Sequence, residues 1–291
     1  MHLTAVNLNK YKIQKGSRVA ILGTNSPEYC ILILAILRIG AVVCPINNRL
    51  PEKGIIKALK DLKCEALVFI DSPKKFFEIT GIKLFLAKEL VPIKTDCSAF
   101  LGKPEVTLSS PAAIMFTSGT GAVPKAAMLS YGNFYYNALG ANERIPFNTD
   151  HRWLLSLPLY HVGGWGILFR AIVGGGGIVI ADKSESITDA INKYNVTHLS
   201  LVPTQLYRLF NEGVAKIQGA APIILVGGAS IPKILIQKCR KANLNLYRTY
   251  GLTEMASQVT TGQSGSGIHS GKLLPHRELK ISEDGEILVK G

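Results

Sequence analysis

The chain of 291 residues predicts an α/β fold with parallel-rich sheets. Short apolar runs of strand length alternate with longer amphipathic segments, and the runs close on Gly, Pro or a helix-capping residue. Hydrophobic residues make up 47% of the chain and charged residues 18%, enough for one large α/β domain or two subdomains. Strand, crossover helix and strand in succession imply parallel pairing.

Residues 18–22 are short and apolar and stop at Gly23, as a buried strand does. Ser26 offers an N-cap and Pro27 a first helical position, so a helix begins there, runs through Arg38 and stops at Gly40. A strand over 41–45, an amphipathic helix over 51–61 and a strand over 66–70 follow. Residues 72–108 carry short mixed runs and prolines and read as a connector holding one or two further elements. Beyond the apolar run 112–116 and the loop it delivers, the expected elements are a helix over 133–142, a strand over 153–156 and an apolar helix over 163–173 closed by four glycines. Strands over 178–181, 198–202, 223–226 and 246–249 then alternate with helices over 187–194, 203–211 and 232–242. Residues 278–289 read as short strands around an Asp284-Gly285 turn. The expected organisation is a first α/β subdomain over 1–110, to which later segments return, a second over 111–262, and a small β element over 263–291.

Lys and Arg number 33 against 20 Asp and Glu, a net charge of +13, which favours anionic ligands such as nucleotides, coenzyme A or acidic substrates. The cations are spread out, with only short pairs such as Lys74-Lys75 and Arg240-Lys241, and no basic patch is interleaved with aromatics, so nucleic acid is not an expected partner. Five cysteines without a CxxC spacing read as buried free thiols rather than disulfides or a zinc site. The N-terminal segment lacks the apolar core of a signal peptide, and the longest apolar run, 29–46, is broken by Arg38, Gly40 and Pro45. A cytoplasmic protein without a membrane span is expected.

Three stretches carry chemistry. The first is Thr117, Ser118, Gly119, Thr120, Gly121 and Ala122, followed by Pro124 and Lys125. Hydroxyls, glycine backbone N–H groups and a lysine can close around phosphate oxygens. The spacing is neither that of a Walker A loop nor Gly-x-Gly-x-x-Gly, and by itself the loop serves equally as a Ser/Thr/Gly-rich surface turn. The second is Gly227-Gly228-Ala229, where glycine admits a flat ring close to the backbone, although a tight turn explains it alone. The third runs from Tyr250 to Ser257. Tyr250 can stack on a purine, Thr253 can bond a phosphate oxygen and Glu254 can hold Mg²⁺; the other reading is a helix start capped by Thr253 and Glu254. In open α/β sheets ligands bind beyond the carboxyl ends of strands, where the last two stretches fall.

Taken in order, these motifs resemble the adenylate-forming superfamily of acyl-CoA synthetases, luciferases and peptide-synthetase adenylation domains. The superfamily loop Thr-Ser-Gly-Thr-Thr-Gly-x-Pro-Lys-Gly is matched at Thr117, Ser118, Gly119, Thr120, Pro124 and Lys125, with Gly121-Ala122 in place of the second Thr-Gly. PLYHVGG at 158–164, GGA at 227–229, YGLTE at 250–254 and GKLLP at 271–275 complete the resemblance, which covers essentially the whole chain. The stretches 157–175, 197–210 and 247–261, above all Met255-Ala256-Ser257-Gln258, look most like the o-succinylbenzoate–CoA ligases of menaquinone synthesis.

The resemblance implies the large N-terminal domain of the adenylate-forming fold, with two stacked α/β subdomains and a small β element. It implies ATP, Mg²⁺ and coenzyme A, the last as co-substrate, and a small carboxylic acid that is adenylated and then passed to the CoA thiol. Thr117, Ser118, Gly119, Thr120 and Lys125 would hold the β,γ-phosphates. Gly228, Ala229, Tyr250 and Gly251 would hold adenine, Thr253 the α-phosphate and Glu254 the metal. His161 and Gly164 would lie at the acyl pocket, with Arg208, Ser257 and Gln258 for the second carboxylate of a succinylbenzoate. Lys125, His161, Thr253 and Glu254 are the expected catalytic residues. The superfamily's ribose-binding aspartate, hinge and C-terminal lid have no counterpart before Gly291, so weak ATP binding and slow adenylation are expected of this chain alone. A ligase for another aryl or fatty acid, a carrier-loading adenylation domain and a catalytically weak nucleotide-binding remnant are the alternatives.

Overall fold

Buried strand-length runs pair in parallel at the centre of two sheets in a computed structural model, which describes residues 1–71, 80–92, 102, 106–117, 125–265 and 269–291. The chain divides into two units, Met1–Gly132 with Leu159–His161, and Asn133–Pro158 with Val162–Gly291.

In the first unit α1 (His2–Lys10) precedes β1 (Arg18–Leu22), α2 (Pro27–Arg38), β2 (Val42–Ile46), α3 (Glu52–Asp61) and β3 (Ala66–Phe69). Then come β4 (Lys83–Leu86), α4 (Ala87–Leu90), β5 (Pro111–Phe116) and β6 (Ala126–Ser130). The sheet order is β4-β3-β1-β2-β5-β6, parallel except for the β5–β6 pair. Every residue of β2 and β3 is buried, as a parallel sheet covered on both faces requires. The α2 start is as read: Ser26 Oγ accepts from the Tyr29 N–H at 3.2 Å, and Pro27 needs no donor there. Ile55, Ala58 and Leu59 put the apolar face of α3 into a core with Ala20, Cys44, Leu67 and Phe69.

The first sheet runs past the boundary expected at residue 110, because Val43 of β2 pairs with Ala113 of β5, and β6 adds a further edge. β6 has little period-2 contrast, burying only Leu129 among its five residues, so pairing rather than pattern defines it.

In the second unit α5 (Tyr131–Arg144) contributes from Asn133 onward, followed by β7 (Arg152–Leu154), α6 (Val162–Gly174), β8 (Gly177–Val179) and α7 (Ile187–Tyr194). β9 (His198–Leu201), α8 (Pro203–Glu212), β10 (Ile223–Val226), α9 (Lys233–Lys241), β11 (Asn245–Leu252), β12 (Ser257–Gln263) and β13 (Lys272–Leu273) complete a sheet ordered β13-β12-β11-β10-β9-β7-β8. β10 is parallel to β9 and β11, while β12 and β13 run antiparallel. Leu199, Leu201, Ile224 and Val226 of the sheet pack with Leu206, Leu209 and Leu235 of the helices. A hairpin of β14 (Glu278–Ile281) and β15 (Ile287–Lys290) ends the chain, turning at Asp284-Gly285 with Gly285 at φ +85°.

Two expectations change here. The strand expected over 246–249 continues to Leu252, and β12 stands where no strand was expected. The sequence of β12, SQVTTGQ, is too polar to read as a core strand, yet Gln258 and Thr261 are buried because they bond within the sheet and to α6. Among the described residues no helix is long and apolar enough to cross a membrane.

Candidate functional site

In the second unit, β10 and β11 deliver their carboxyl ends side by side, with Val226 opposite Arg248. Beyond β10 the chain enters Gly227-Gly228-Ala229, and the Gly227 N–H reaches back to Leu201 O of β9 at 3.3 Å. A Cβ on Gly227 would meet Thr249 Cγ2 at 2.5 Å, and Gly228 holds φ +79°, so both positions need glycine. Gly228 and Ala229 are exposed, presenting bare backbone at the end of the strand.

The Tyr250–Glu254 segment has a more constrained geometry. The β11–β12 register shifts between Tyr250 and Gly251, so that Tyr250 faces Thr260 while Gly251 faces Gln258. At Gly251 a Cβ would lie 1.6 Å from the Ser257 carbonyl oxygen; the two backbones touch. Thr253–Met255 then forms one 3-10 turn, with Thr253 half-buried and Glu254 exposed, before Ala256 at φ +53° and Ser257 at φ +118° reverse the chain into β12. Thr253 and Glu254 thus lie in a turn between antiparallel strands and do not begin an α-helix.

Ser257 and Gln258 meet an arginine, but not the expected one. Arg208 is exposed on α8. The guanidinium that reaches Gln258 belongs to Arg170 of α6, which is only 2% exposed. Its Nη1 donates to Gln258 Oε1, its Nη2 donates to Ser200 Oγ at 3.4 Å, and it lies 4.2 Å over the Trp153 ring. Its Nε has no acceptor among the described residues. Burial pushes its pKa down to about 9, still above neutrality. Gln258 Nε2 continues the chain to Thr261 Oγ1 at 2.5 Å, and Thr261 to Thr249 Oγ1 at 3.2 Å. Gly166 faces the same corner, where a Cβ would lie 3.4 Å from both Arg170 Nη2 and Ser257 Oγ. Arg170 had one signal in the sequence: it is the single charge in the apolar stretch 162–174, and a charge on a buried helix needs partners.

Next to this corner, His198 is 1% exposed, ringed by Trp153 at 4.8 Å, His151 at 4.9 Å and Phe147 at 5.1 Å. Burial, then the charges of His151 and Arg170, push its pKa down from 6.5 to about 4. A group held neutral in the fold stabilises it above its unfolded pKa and loses that contribution as pH falls toward the folded value. His198 therefore contributes about 3 kcal/mol at neutral pH that disappears between about pH 6.5 and 4. Urea midpoints at pH 7 and 4.5 should fall less steeply with acid in His198→Phe than in the parent; equal slopes would remove His198 as the cause.

In the first unit, the Thr117 N–H donates to Lys125 O at 2.8 Å, closing the mouth of the β5–β6 hairpin with Lys125 exposed. Ser118, Gly119 and Thr120, with Gly121 and Ala122, lie outside the described residues. The Leu159 N–H donates to Asn25 Oδ1 at 2.9 Å, and the Tyr160 and His161 rings stand 4.6 Å apart. Partial desolvation of the His161 ring and the charge of Arg49 depress its pKa, so the imidazole is neutral at pH 7. In the second unit Gly164 admits no side chain, because a Cβ there would lie 2.5 Å from Pro158 O.

Residues 3–291 match the AMP-binding enzyme family. The chain belongs to the AMP-binding enzyme family. It is 33% identical over 269 residues to the 2-succinylbenzoate–CoA ligase of Escherichia coli, covering 92% of this chain and 56% of that protein. It is 29% identical over 293 residues to the enzyme of that name from Listeria innocua, covering 96% of this chain and 60% of that protein. Among solved structures, the o-succinylbenzoate coenzyme A synthetase of Bacillus subtilis in complex with ATP and magnesium superposes with a TM-score of 0.87 at 27% identity, over 100% of this chain and 64% of that one. This member of the AMP-binding enzyme family thus spans about 60% of the length of those relatives.

Proposed function

We propose that the chain is the nucleotide- and acid-binding part of an AMP-forming acid–CoA ligase that activates o-succinylbenzoate for menaquinone synthesis. The observation that carries this reading is the buried Arg170–Gln258 pair beside Ser257 in the unit that bears the Tyr250–Glu254 turn. Succinylbenzoate is a dicarboxylate. One carboxylate is activated; the other remains an anion that needs a cation in a desolvated pocket. Arg170 supports that role through its retained charge and its uncommitted Nε.

In the reaction, a carboxylate oxygen attacks the α-phosphorus of ATP. The oxygen–phosphorus bond forms, the bond to the β-phosphate oxygen breaks, and pyrophosphate leaves. The CoA sulfur then attacks the acyl carbon, loses its proton and expels AMP. We assign adenine to Gly228, Ala229, Tyr250 and Gly251, the α-phosphate to Thr253, and the β,γ-phosphates to Thr117, Ser118, Gly119, Thr120 and Lys125. Neutral His161, with Gly164, is assigned to the acyl side. Among the described residues no three His, Cys, Asp or Glu side chains cluster, which suits Mg²⁺: it takes one or two carboxylates and completes its shell with water and phosphate. Glu254 would be that carboxylate, and bound Mg²⁺ would neutralise charge on the phosphates. The described cysteines are free thiols, which supports the cytoplasm as the compartment.

The test is calorimetric titration with ATP–Mg²⁺ and with non-hydrolysable acyl-adenylate mimics carrying succinylbenzoyl, benzoyl or long-chain fatty acyl groups. The succinylbenzoyl mimic should bind at least about tenfold tighter than the benzoyl one. Preference for the fatty mimic would reassign the acid, and no nucleotide binding would leave a remnant without ligand.

A further inference from the structure

The turn carrying Thr253 and Glu254 ends in two consecutive non-glycine residues with left-handed backbone, Ala256 and Ser257. Such strain persists only where surrounding structure over-determines it. The restraint here comes from two side chains remote in sequence. Asn137 of α5, 2% exposed, uses its Nδ2 to donate to Gln258 O at 2.8 Å and to Met255 O at 3.4 Å, so one amide spans both sides of the kink. Arg277, 7% exposed, donates from Nη2 to the same Met255 oxygen at 3.1 Å. Both lone pairs of that carbonyl are therefore occupied from outside the turn.

α5 is the strut behind this clamp. Asn137 lies on the face that buries Phe134, Ala138 and Ala141, where an unpaired amide would be costly. The same helix bonds two further carbonyls of the unit, with Asn142 Nδ2 to Arg170 O at 3.2 Å and Arg144 Nη2 to Leu273 O at 2.9 Å. Arg277 has no acceptor for Nε or Nη1 among the described residues, so its hydrogen bonding is directed at Met255 O.

We infer that Asn137 and Arg277 are positioning residues for Thr253 and Glu254, acting through the backbone carbonyl of Met255. The inference rests on the proposed roles of Thr253 and Glu254 toward phosphate and Mg²⁺. The clamp fixes the aim of the turn before ligand arrives, so its loss falls on the metal-dependent part of nucleotide binding. The adenine contacts assigned to Gly228 and Ala229, just beyond β10, should be spared.

The experiment uses the full 291-residue chain with Asn137→Asp, which removes the donor at constant size, Arg277→Met, and Arg277→Lys as the conservative variant. Hydrogen exchange of amides 253–258 is followed without ligand, and affinities for adenosine and for ATP with and without Mg²⁺ are measured by calorimetry. Asn137→Asp and Arg277→Met should speed exchange across 253–258 and reduce the Mg²⁺-dependent gain in ATP affinity about tenfold, with adenosine affinity held within about twofold. Arg277→Lys should recover part of the gain. Unchanged exchange at 253–258, or equal loss of adenosine and Mg²⁺–ATP affinity, would overturn the positioning role. If the parent chain binds neither adenosine nor ATP, the nucleotide reading fails, and the exchange data alone decide whether the clamp exists.

Discussion

Gly251→Ala opens the β11–β12 ladder and abolishes nucleotide binding. The added methyl would sit 1.6 Å from Ser257 O, 2.6 Å from Ser257 C and 3.0 Å from Gln258 Cα. All three are backbone atoms, so no rotamer change relieves the clash. The strands must part at the bulge and give up the Gly251–Gln258 and Leu252–Ser257 pairings. A forced backbone shift of that kind costs about 4 kcal/mol, at the top of what single substitutions do. The control is Gly54→Ala in α3, where the added Cβ meets side chains only at 3.5 Å and beyond. That variant should gain about 0.5–1 kcal/mol, because alanine loses less backbone entropy in a helix. Urea denaturation of both variants checks the contrast, and Gly251→Ala with parental stability would refute the close approach of the two strands.

Arg170→Met separates stability from specificity. The guanidinium is fully buried and bonds only neutral acceptors, Gln258 and Ser200, among the described residues. Replacing it with an apolar side chain of similar length relieves its desolvation cost but strands the Gln258 oxygen. The two terms oppose, and the net change in folding stability should stay within about 1 kcal/mol. Binding of the succinylbenzoyl-adenylate mimic should fall roughly a hundredfold, the usual loss when one partner of a buried charge-assisted contact is removed. AMP affinity should not move, because adenine is assigned to other residues. Equal loss for AMP and for the mimic would mean that Arg170 supports the fold and not the acid. Arg208→Met, on the exposed face of α8, serves as the comparison and should leave both affinities unchanged.

Much of the architecture was legible because local physics fixes it. Ser26 and Pro27 specify the start of α2 without help from the rest of the chain. The apolar runs 18–22 and 223–226 can only be buried strands. Gly227 and Gly251 were legible as places where backbone is closely approached, and the structure sets Thr249 and Ser257 against them.

β6 and β12 were not legible, because strand pairing is non-local and a polar strand such as Ser257–Gln263 becomes one only when Gly251 and Thr249 lie beside it. Arg208 and Arg170 look alike in the sequence, each a lone cation on a helix. Their difference is burial, which depends on what packs against each helix. Sequence alone determined the family and the α/β rhythm, since these follow from short motifs and hydrophobic period. Only the tertiary structure decided that Arg170 faces Gln258, that Gly251 touches Ser257 and that Asn137 and Arg277 share the Met255 carbonyl. Each of those contacts joins residues whose meeting no local propensity encodes.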